Sequence, residues 1–376
     1  MTQANEYAQA GVDYSKIDGF KRLMQAVGQR TRTFSVHNGV WVEPCDHGVC
    51  FRVMQADRPH SFLSTTEGLG NKNYIAEWMA MHAGTGQSYY DGIGQDTVLM
   101  SVNDLAAHGA IPVLYTDEVA AGDSDWFATD CARDLSESFY RILEELHMTL
   151  GGGESPALKY LMNPRPPVKA CPSLSGCATG VIYEGNPVRR EPRPGDAIIG
   201  ATSSGLHANG VSLVIERTLS LLKDGFLTRL PNGNMLGQEA LIPTRSYVAL
   251  VQALLKAQKE KGVPFIRGFL PGTGGGVAKL AADDRPLTYR ITNWGCPIPP
   301  LFQFMNEGLG VSLEGCLKTF NWGIGYYVFV DPRAIENVIA IGKTVGYDLF
   351  HLGFVEDGPR KVVFEPAGIT LPPPGD

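Results

Sequence analysis

Four glycine-rich turns limit what this chain can fold into, because three of them sit where a strand-like run gives way to a helix-like one. They are Glu67-Gly68-Leu69-Gly70-Asn71-Lys72, Gly151-Gly152-Gly153-Glu154-Ser155, Thr202 to Gly210, and Gly272-Thr273-Gly274-Gly275-Gly276. Ser61–Thr66 reads as a strand and Tyr74–His82 as a helix around the first turn. The strand Asp196–Ala201 precedes the third turn, and a helix reaching Leu222 follows it. The strand-like Phe265–Phe269 leads into the fourth, which opens another helix. Glycine lets backbone approach a ligand closely, and amides at a helix N-terminus attract anions. Alternating strands and helices in both halves give a chain of the α/β or α+β class.

With 376 residues, 44% apolar and 19% charged, the chain has material for a full core and for two domains. The Pro- and Arg-rich stretch Pro187 to Gly195 marks the boundary, giving domains 1–186 and 187–376. A net charge of −7 argues against nucleic acid, which selects a basic face, but leaves room for a small anionic ligand held by local cations and amides. The polar N-terminus lacks an apolar signal core and no run of ~18 apolar residues occurs, so no membrane partner and a cytoplasmic location are expected. Seven scattered cysteines fit reduced thiols, and the Cys45-Asp46-His47-Gly48-Val49-Cys50 spacing matches no zinc pattern.

Three acidic residues stand out. Asp104 lies near the C-terminal end of an apolar helical segment (Val98, Leu99, Val102, Leu105) that Gly109 can end by adopting positive φ. A carboxylate there faces the unfavourable end of the helix dipole, so it reads either as a surface Asp or as a group held for a divalent cation. Glu67 and Glu154 each adjoin glycines. Lys72, four residues after Gly68 and two after Gly70, reads as a phosphate-binding ammonium or as the surface Lys of a tight turn; the spacing is not that of a P-loop. Gly151 to Gly153 reads as a ligand-approach segment or a flexible turn. His207 reads as a structural imidazole or as a phosphate donor or general acid-base. Ser124–Met148 is the clearest helix, with Ser124 as N-cap. No Gly-x-Ser-x-Gly elbow and no dinucleotide-binding fingerprint occurs. A magnesium nucleotide and a second phosphate group suit the remaining pattern.

Eight motifs in collinear order then resemble those of aminoimidazole ribonucleotide synthetases, the phosphoribosylformylglycinamidine cyclo-ligases of the PurM-like superfamily. They are Tyr7-Ala-Gln-Ala-Gly-Val-Asp13; Ser64-Thr-Thr-Glu-Gly-Leu-Gly-Asn-Lys72; Val102-Asn103-Asp104-Leu105 with Gly109-Ala110; Gly152-Gly153-Glu154-Ser155; Ser203-Ser-Gly-Leu-His-Ala-Asn-Gly210; Pro243-Thr-Arg-Ser-Tyr-Val248; Thr273-Gly-Gly-Gly276; and Thr319-Phe-Asn-Trp-Gly-Ile-Gly325. The chain departs from the family at Glu67 (an Asp there), Thr65 (a Gly), Leu206 (a Pro), and after Glu154, where Pro156-Ala-Leu-Lys159 and a Pro-rich loop replace a second acidic residue.

The resemblance implies a two-domain PurM-like fold, with an N-terminal domain forming a dimeric β-barrel and a C-terminal α/β sandwich. It implies ATP-dependent closure of the imidazole ring of a phosphorylated substrate by a homodimer, with ATP and Mg²⁺ as cofactors and room for a monovalent cation. Lys72, Asp104 and His207 would be catalytic. Glu67, Gly68, Gly70, Lys72, Asn103, Asp104, Gly152, Gly153 and Glu154 would hold the nucleotide, with Glu67, Asp104 and Glu154 on the metal. Ser203, Ser204, Gly205, His207, Asn209, Thr273, Gly274, Gly275 and Asn321 would hold the substrate. Two other readings stand beside it: another ATP-using member such as a thiamine monophosphate kinase, which shares a run like Asp104 to Ala110 but lacks the Thr-Phe-Asn-x-Gly-x-Gly segment, and a non-catalytic nucleotide-binding paralogue.

Overall fold

The computed structural model describes residues 14–45, 48–54, 57, 59–183 and 187–374. The Tyr7–Asp13 motif and His47 lie outside these residues. The chain forms two compact units. One comprises residues up to Leu105, Ala110–Gly185 and Asp224–Thr228; the other comprises Ala106–Gly109, Asn186–Lys223 and Arg229 onward.

In the first unit, helix α1 (Tyr14–Thr31) buries Ile17, Phe20, Met24, Val27 and Thr31. That alternating spacing of three and four makes one apolar stripe, longer than the Gly19–Val27 segment expected. Strands β1 (Val40–Cys45) and β2 (Gly48–Val53) form a separate antiparallel hairpin. Strand β3 (His60–Gly68), helices α2 (Lys72–His82) and α3 (Ile93–Ala107), and strand β4 (Ile111–Ala120) follow. Gly109 ends the α3 segment at φ 80°, as its position suggests.

The expected Ser124–Met148 helix is two elements. Ser124–Ala128 is a 3₁₀ turn, and helix α4 (Asp130–Glu145) starts at Thr129, whose side chain accepts from the Ala132 amide. Extended φ and ψ at Thr129 break the run, so Thr129 is the N-cap in place of Ser124. Phe20 of α1 meets Phe127 with ring centroids 5.3 Å apart, locking α1 against this corner.

Strand β5 (Thr149–Glu154) is where the triple glycine lies, so that segment is an edge strand and not a loose turn. With β6 (Ser173–Tyr183) the sheet order is β3-β6-β4-β5, antiparallel except for the parallel β4–β5 pair. Among the described residues this is an open four-stranded sheet.

The second unit is a seven-stranded mixed sheet. Its strands are β7 (Ala197–Thr202), β8 (Ile266–Pro271), β9 (Leu287–Ile291), β10 (Ile324–Val330), β11 (Leu349–Asp357), β12 (Lys361–Phe364) and β13 (Ile369–Leu371), in the order β13-β12-β9-β11-β7-β10-β8. Only β12–β9 is parallel. Every residue of β10 is buried, which its near-continuous apolar run allows. Helices α5 (Val211–Leu221), α6 (Leu236–Ala240), α7 (Val248–Lys261), α8 (Pro300–Glu307), α9 (Leu313–Thr319) and α10 (Ile335–Thr344) complete it. Residues of α7 and α10 join β7, β8 and β10 in one core. The expected helix after Gly276 is a 3₁₀ segment, Gly276–Ala281. The mixture of antiparallel sheets with helices makes the fold α+β in character.

Candidate active site

Sheet register decides which acidic side chains share a face in the first unit. Glu67 pairs with Gly176, Gly176 with Asp117, and Asp117 with Gly153. Paired residues project to the same face, so Glu67 and Asp117 rise from one face of the sheet, separated by the β6 strand. The Thr65 hydroxyl, two residues from Glu67, donates to the Ser101 carbonyl at 2.8 Å. That face is therefore the one α3 covers. Asp104, half-buried, follows Ser101 by three residues on that helix, about one turn on. Asn103 beside it is buried.

Asp117 is a carboxylate that motif reading passes over. It is 8% exposed, and its Oδ1 is buried without a hydrogen-bond partner. Burial pushes its carboxyl up to about 7, opposed by its own backbone amide and aided by the charge of Glu154. A Cβ at Gly153 would stand 2.3 Å from Asp117 Oδ1, and one at Gly176 would stand 2.2 Å from the Tyr115 hydroxyl. The two glycines thus make room for the side chains that lie over them. A signal was present in the sequence: Asp117 shares strand parity with the buried Tyr115 and Val119, so an acid falls on the core-facing side of β4.

Asp117 lines a cavity of about 630 Å³ with Lys21, Gln29, Arg32, Gly152 and Ser155. Lys21 and Gln29 of α1, with Arg32 just past its end, thus face the glycine edge of β5, a lining suited to a polar, anionic guest. Lys21 and Arg32 carried no motif and were not singled out. Glu154, at the strand end, is mostly exposed; its Oε1 accepts from the Ser155 amide at 2.8 Å and lies 4.0 Å from the Lys21 ammonium. Gly68 and Gly70 flank Leu69, whose amide donates to the Leu174 carbonyl, and Gly70 has φ 73°.

Lys72 departs from the expectation of a phosphate-facing ammonium. It is the first residue of α2, wholly buried, with its Nζ 2.9 Å from Asp96 Oδ1 and from Oδ2. Burial lowers its pKa while Asp96 raises it. An ammonium held inside by a partner on α3 ties the two helix N-termini together.

Among the described residues no three His, Cys, Asp or Glu side chains form a ready metal cluster. Glu67, Asp104 and Glu154 are therefore not a preformed cage. Magnesium commonly takes one or two carboxylates, with phosphate oxygens and water completing its shell. The hard oxygen donors and the unsatisfied buried Asp117 Oδ1 fit such a partly protein-held ion.

In the second unit, the turn after β7 is built around Asn321. Its Oδ1 accepts from the Ser203 hydroxyl and the Gly323 amide, each at 3.0 Å, and its Nδ2 donates to the Gly205 carbonyl at 2.8 Å. Three of its four hydrogen-bonding positions are used in stapling two loops. His207, 3% exposed and at φ 57°, accepts from the Ser204 amide through Nε2 at 3.3 Å. Accepting at Nε2 places the neutral ring's proton on Nδ1, and a Cβ at Gly325 would meet His207 Cε1 at 2.6 Å. Its burial and its bond to the Ser204 amide fit the structural reading, which the sequence left open beside the acid-base one. The Ser204 hydroxyl donates to the Pro243 carbonyl at 2.6 Å.

The Pro243–Val248 motif supplies two groups that the sequence left without a role. The Tyr247 hydroxyl donates to the Thr202 carbonyl at 2.8 Å, and the Arg245 guanidinium lies 4.3 Å over the Tyr347 ring. Across the turn, Gly274 stands beside the Asn209 amide: a Cβ there would be 3.4 Å from Asn209 Oδ1. Gly275 and Gly276 have φ of 93° and 56°, a left-handed pair only glycine adopts readily.

A family model described as "AIR synthase related protein, N-terminal domain" matches residues 46–182. A phosphoribosylformylglycinamidine cyclo-ligase of Pyrococcus horikoshii is 32% identical over 372 residues, covering 97% of this chain and 99% of that one. The thiamine-monophosphate kinase of Stenotrophomonas maltophilia aligns in structure with a TM-score of 0.57 at 16% identity, covering 89% of this chain and 94% of the kinase. The hydrogenase maturation protein HypE in complex with ATP aligns with a TM-score of 0.53 at 15% identity, covering 83% of each chain. The last two likenesses are of fold alone.

Proposed function

The chain belongs to the phosphoribosylformylglycinamidine cyclo-ligase family, and we propose that it closes the imidazole ring of formylglycinamidine ribonucleotide at the expense of ATP, giving aminoimidazole ribonucleotide for purine biosynthesis. The observation that carries this reading is identity of 32% sustained over 97% of this chain and 99% of the relative. Likeness to kinase and maturation folds at 15–16% identity gives no comparable support for their activities.

In the reaction, the formyl amide oxygen attacks the γ-phosphorus of ATP and ADP leaves. The amidine nitrogen then attacks the activated carbon, and phosphate departs as the ring forms. The protein positions the reactants and stabilises the charge that builds on the moving phosphoryl group. ATP would lie in the cavity lined by Lys21, Arg32, Asp117 and the β5 glycines, its phosphates toward Gly68, Gly70 and Gly152. A bound ATP in the fold neighbour supports a nucleotide on this scaffold.

Magnesium, when bound, would neutralise phosphate charge. Glu67, Asp104 and Asp117 supply the carboxylates that fit it best, with Glu154 holding the Lys21 ammonium at the strand end. Lys72 serves this site through Asp96, by fixing where α2 and α3 begin. The Ser203–Gly210 turn and the Thr273–Gly275 loop would bind the substrate, with Asn321 and His207 setting the turn's shape.

The open edge of β3 and its half-exposed Phe62 support a homodimer that pairs this edge across two copies. No helix among the described residues is long and apolar enough to cross a membrane.

Turnover tests the reading. Purified protein with ATP, Mg²⁺ and formylglycinamidine ribonucleotide should release ADP and aminoimidazole ribonucleotide one for one. ADP release without ring closure, or ATP binding without turnover, would overturn it.

A further inference from the structure

A second anion-binding arrangement lies wholly in the second unit and includes a residue that no motif marks. Asn209 Nδ2 is buried without a hydrogen-bond partner. A buried amide left unsatisfied is costly, so a donor placed this way calls for an acceptor. Its Oδ1 side faces Gly274, where a Cβ would stand 3.4 Å away. The loop then turns through the left-handed Gly275 and Gly276, where the missing side chains let a ligand come close to the backbone. The chain returns in the 3₁₀ segment Gly276–Ala281, which carries Lys279. The Lys279 stem lies 3.6 Å from where a Gly275 Cβ would be, and its ammonium donates to the Thr273 hydroxyl. A cation, a hydroxyl, three glycines and an orphaned amide thus lie along or beside one loop. The nearby acid Asp283 is held by Arg190 at 2.8 Å and Arg285 at 2.7 Å, so its charge is neutralised away from Lys279.

We propose that Lys279 is the cation of a phosphate-monoester subsite, binding its ligand's phosphate together with Asn209 Nδ2, the Thr273 hydroxyl and the Gly274–Gly276 amides. The inference rests on the proposed cyclo-ligase reading for the identity of the ligand, the ribose 5-phosphate end of the substrate. It goes beyond that reading in assigning the charge to Lys279. Lys279 binds and orients; it does not touch the reacting carbon.

The test is steady-state kinetics of Lys279→Met and Lys279→Arg, with the ribonucleotide substrate, with its dephosphorylated ribonucleoside, and with ATP varied separately. A charge-assisted hydrogen bond to phosphate makes the expected rise in KM for the ribonucleotide ~10–100-fold in the methionine variant. KM for ATP should stay within about twofold. The arginine variant should recover most of the loss, and the ribonucleoside should not distinguish the three proteins. An equal effect on ribonucleotide and ribonucleoside, or unchanged KM for the ribonucleotide, would overturn the proposal. Calorimetry with ribose 5-phosphate gives an answer independent of turnover. Wild type should bind it, with weakening in Lys279→Met and in Asn209→Asp, which sets a carboxylate against the phosphate. If the wild type binds ribose 5-phosphate in this way but never cyclises the ribonucleotide, the cyclo-ligase reading fails and the subsite stands. If wild type and Lys279→Met bind it equally, the subsite fails whatever the activity.

Discussion

The Lys72 ammonium lies 2.9 Å from both carboxylate oxygens of Asp96, and neither side chain is exposed at all. The first residue of α2 is thereby bound to the first turn of α3, the helix that carries Asp104. Desolvation opposes the charge on Lys72, and the Asp96 charge sustains it.

Lys72→Met should therefore act on stability first. It takes the ammonium away from the buried Asp96 carboxylate, a change that costs about 3–5 kcal/mol. Urea denaturation should show a loss of that size, and Lys72→Met with Asp96→Leu should recover much of it. If Lys72→Met keeps full stability but loses ATP affinity, Lys72 faces the nucleotide after all and the buried pair is not its role.

Asp117 gives a pH dependence with a definite sign. Its folded carboxyl titrates at about 7, above its ordinary value of 3.8, so the folded state binds that proton more tightly than the unfolded chain does. Stability contributed by this group therefore falls as pH rises through that window, and the penalty is complete above it. Asp117→Asn carries no such charge. Its melting temperature should exceed that of wild type at pH 8, with the gap shrinking by pH 5. A gap independent of pH would mean that the group does not titrate there.

Gly153 admits no side chain beneath Asp117. A Cβ would lie 2.3 Å from Asp117 Oδ1 and 2.8 Å from the Asp117 carbonyl, so Gly153→Ala must shift strand backbone as well as a carboxylate. The expected cost is ~1–3 kcal/mol in chemical denaturation, as for other overpacked sites. KM for ATP should rise more than KM for the second substrate. Gly152, where a Cβ would find nothing within 4 Å, is the control position for stability and should tolerate Ala far better in denaturation.

Asn321→Ala should separate the two substrates in the opposite way. It strands the half-buried Ser203 hydroxyl together with the Gly323 amide and the Gly205 carbonyl, two buried groups that each cost about 1–3 kcal/mol if left unpaired. The turn should loosen, raising KM for the phosphorylated substrate and leaving KM for ATP near wild type. Equal changes in both would show that the damage spreads beyond this turn.

Glycine positions, apolar periodicity and ordered motifs were legible because each is a local property of the chain. Gly109 ends its helix at positive φ, the strand segment Leu349–Val355 lies within β11, and Phe265–Phe269 overlaps β8 from its second residue on. The family, and with it the mixed α+β architecture, followed from motifs whose order along the chain needs no coordinates to read. Contacts between distant segments were not legible. The triple glycine read equally well as a flexible turn, because only pairing with β4 makes it an edge strand. Lys72 looked like a free cation, because Asp96, 24 residues away, is brought to it by the packing of two helices. Asp117 drew no notice, because its chemistry comes from burial and from two glycines on neighbouring strands that no motif joins to it. The sequence by itself determined which turns can approach a ligand and which family the chain resembles, since backbone freedom and residue order are carried by the chain. Tertiary structure decided which charges face that ligand and which are spent inside, since desolvation and ion pairing depend on what folding places within a few ångströms.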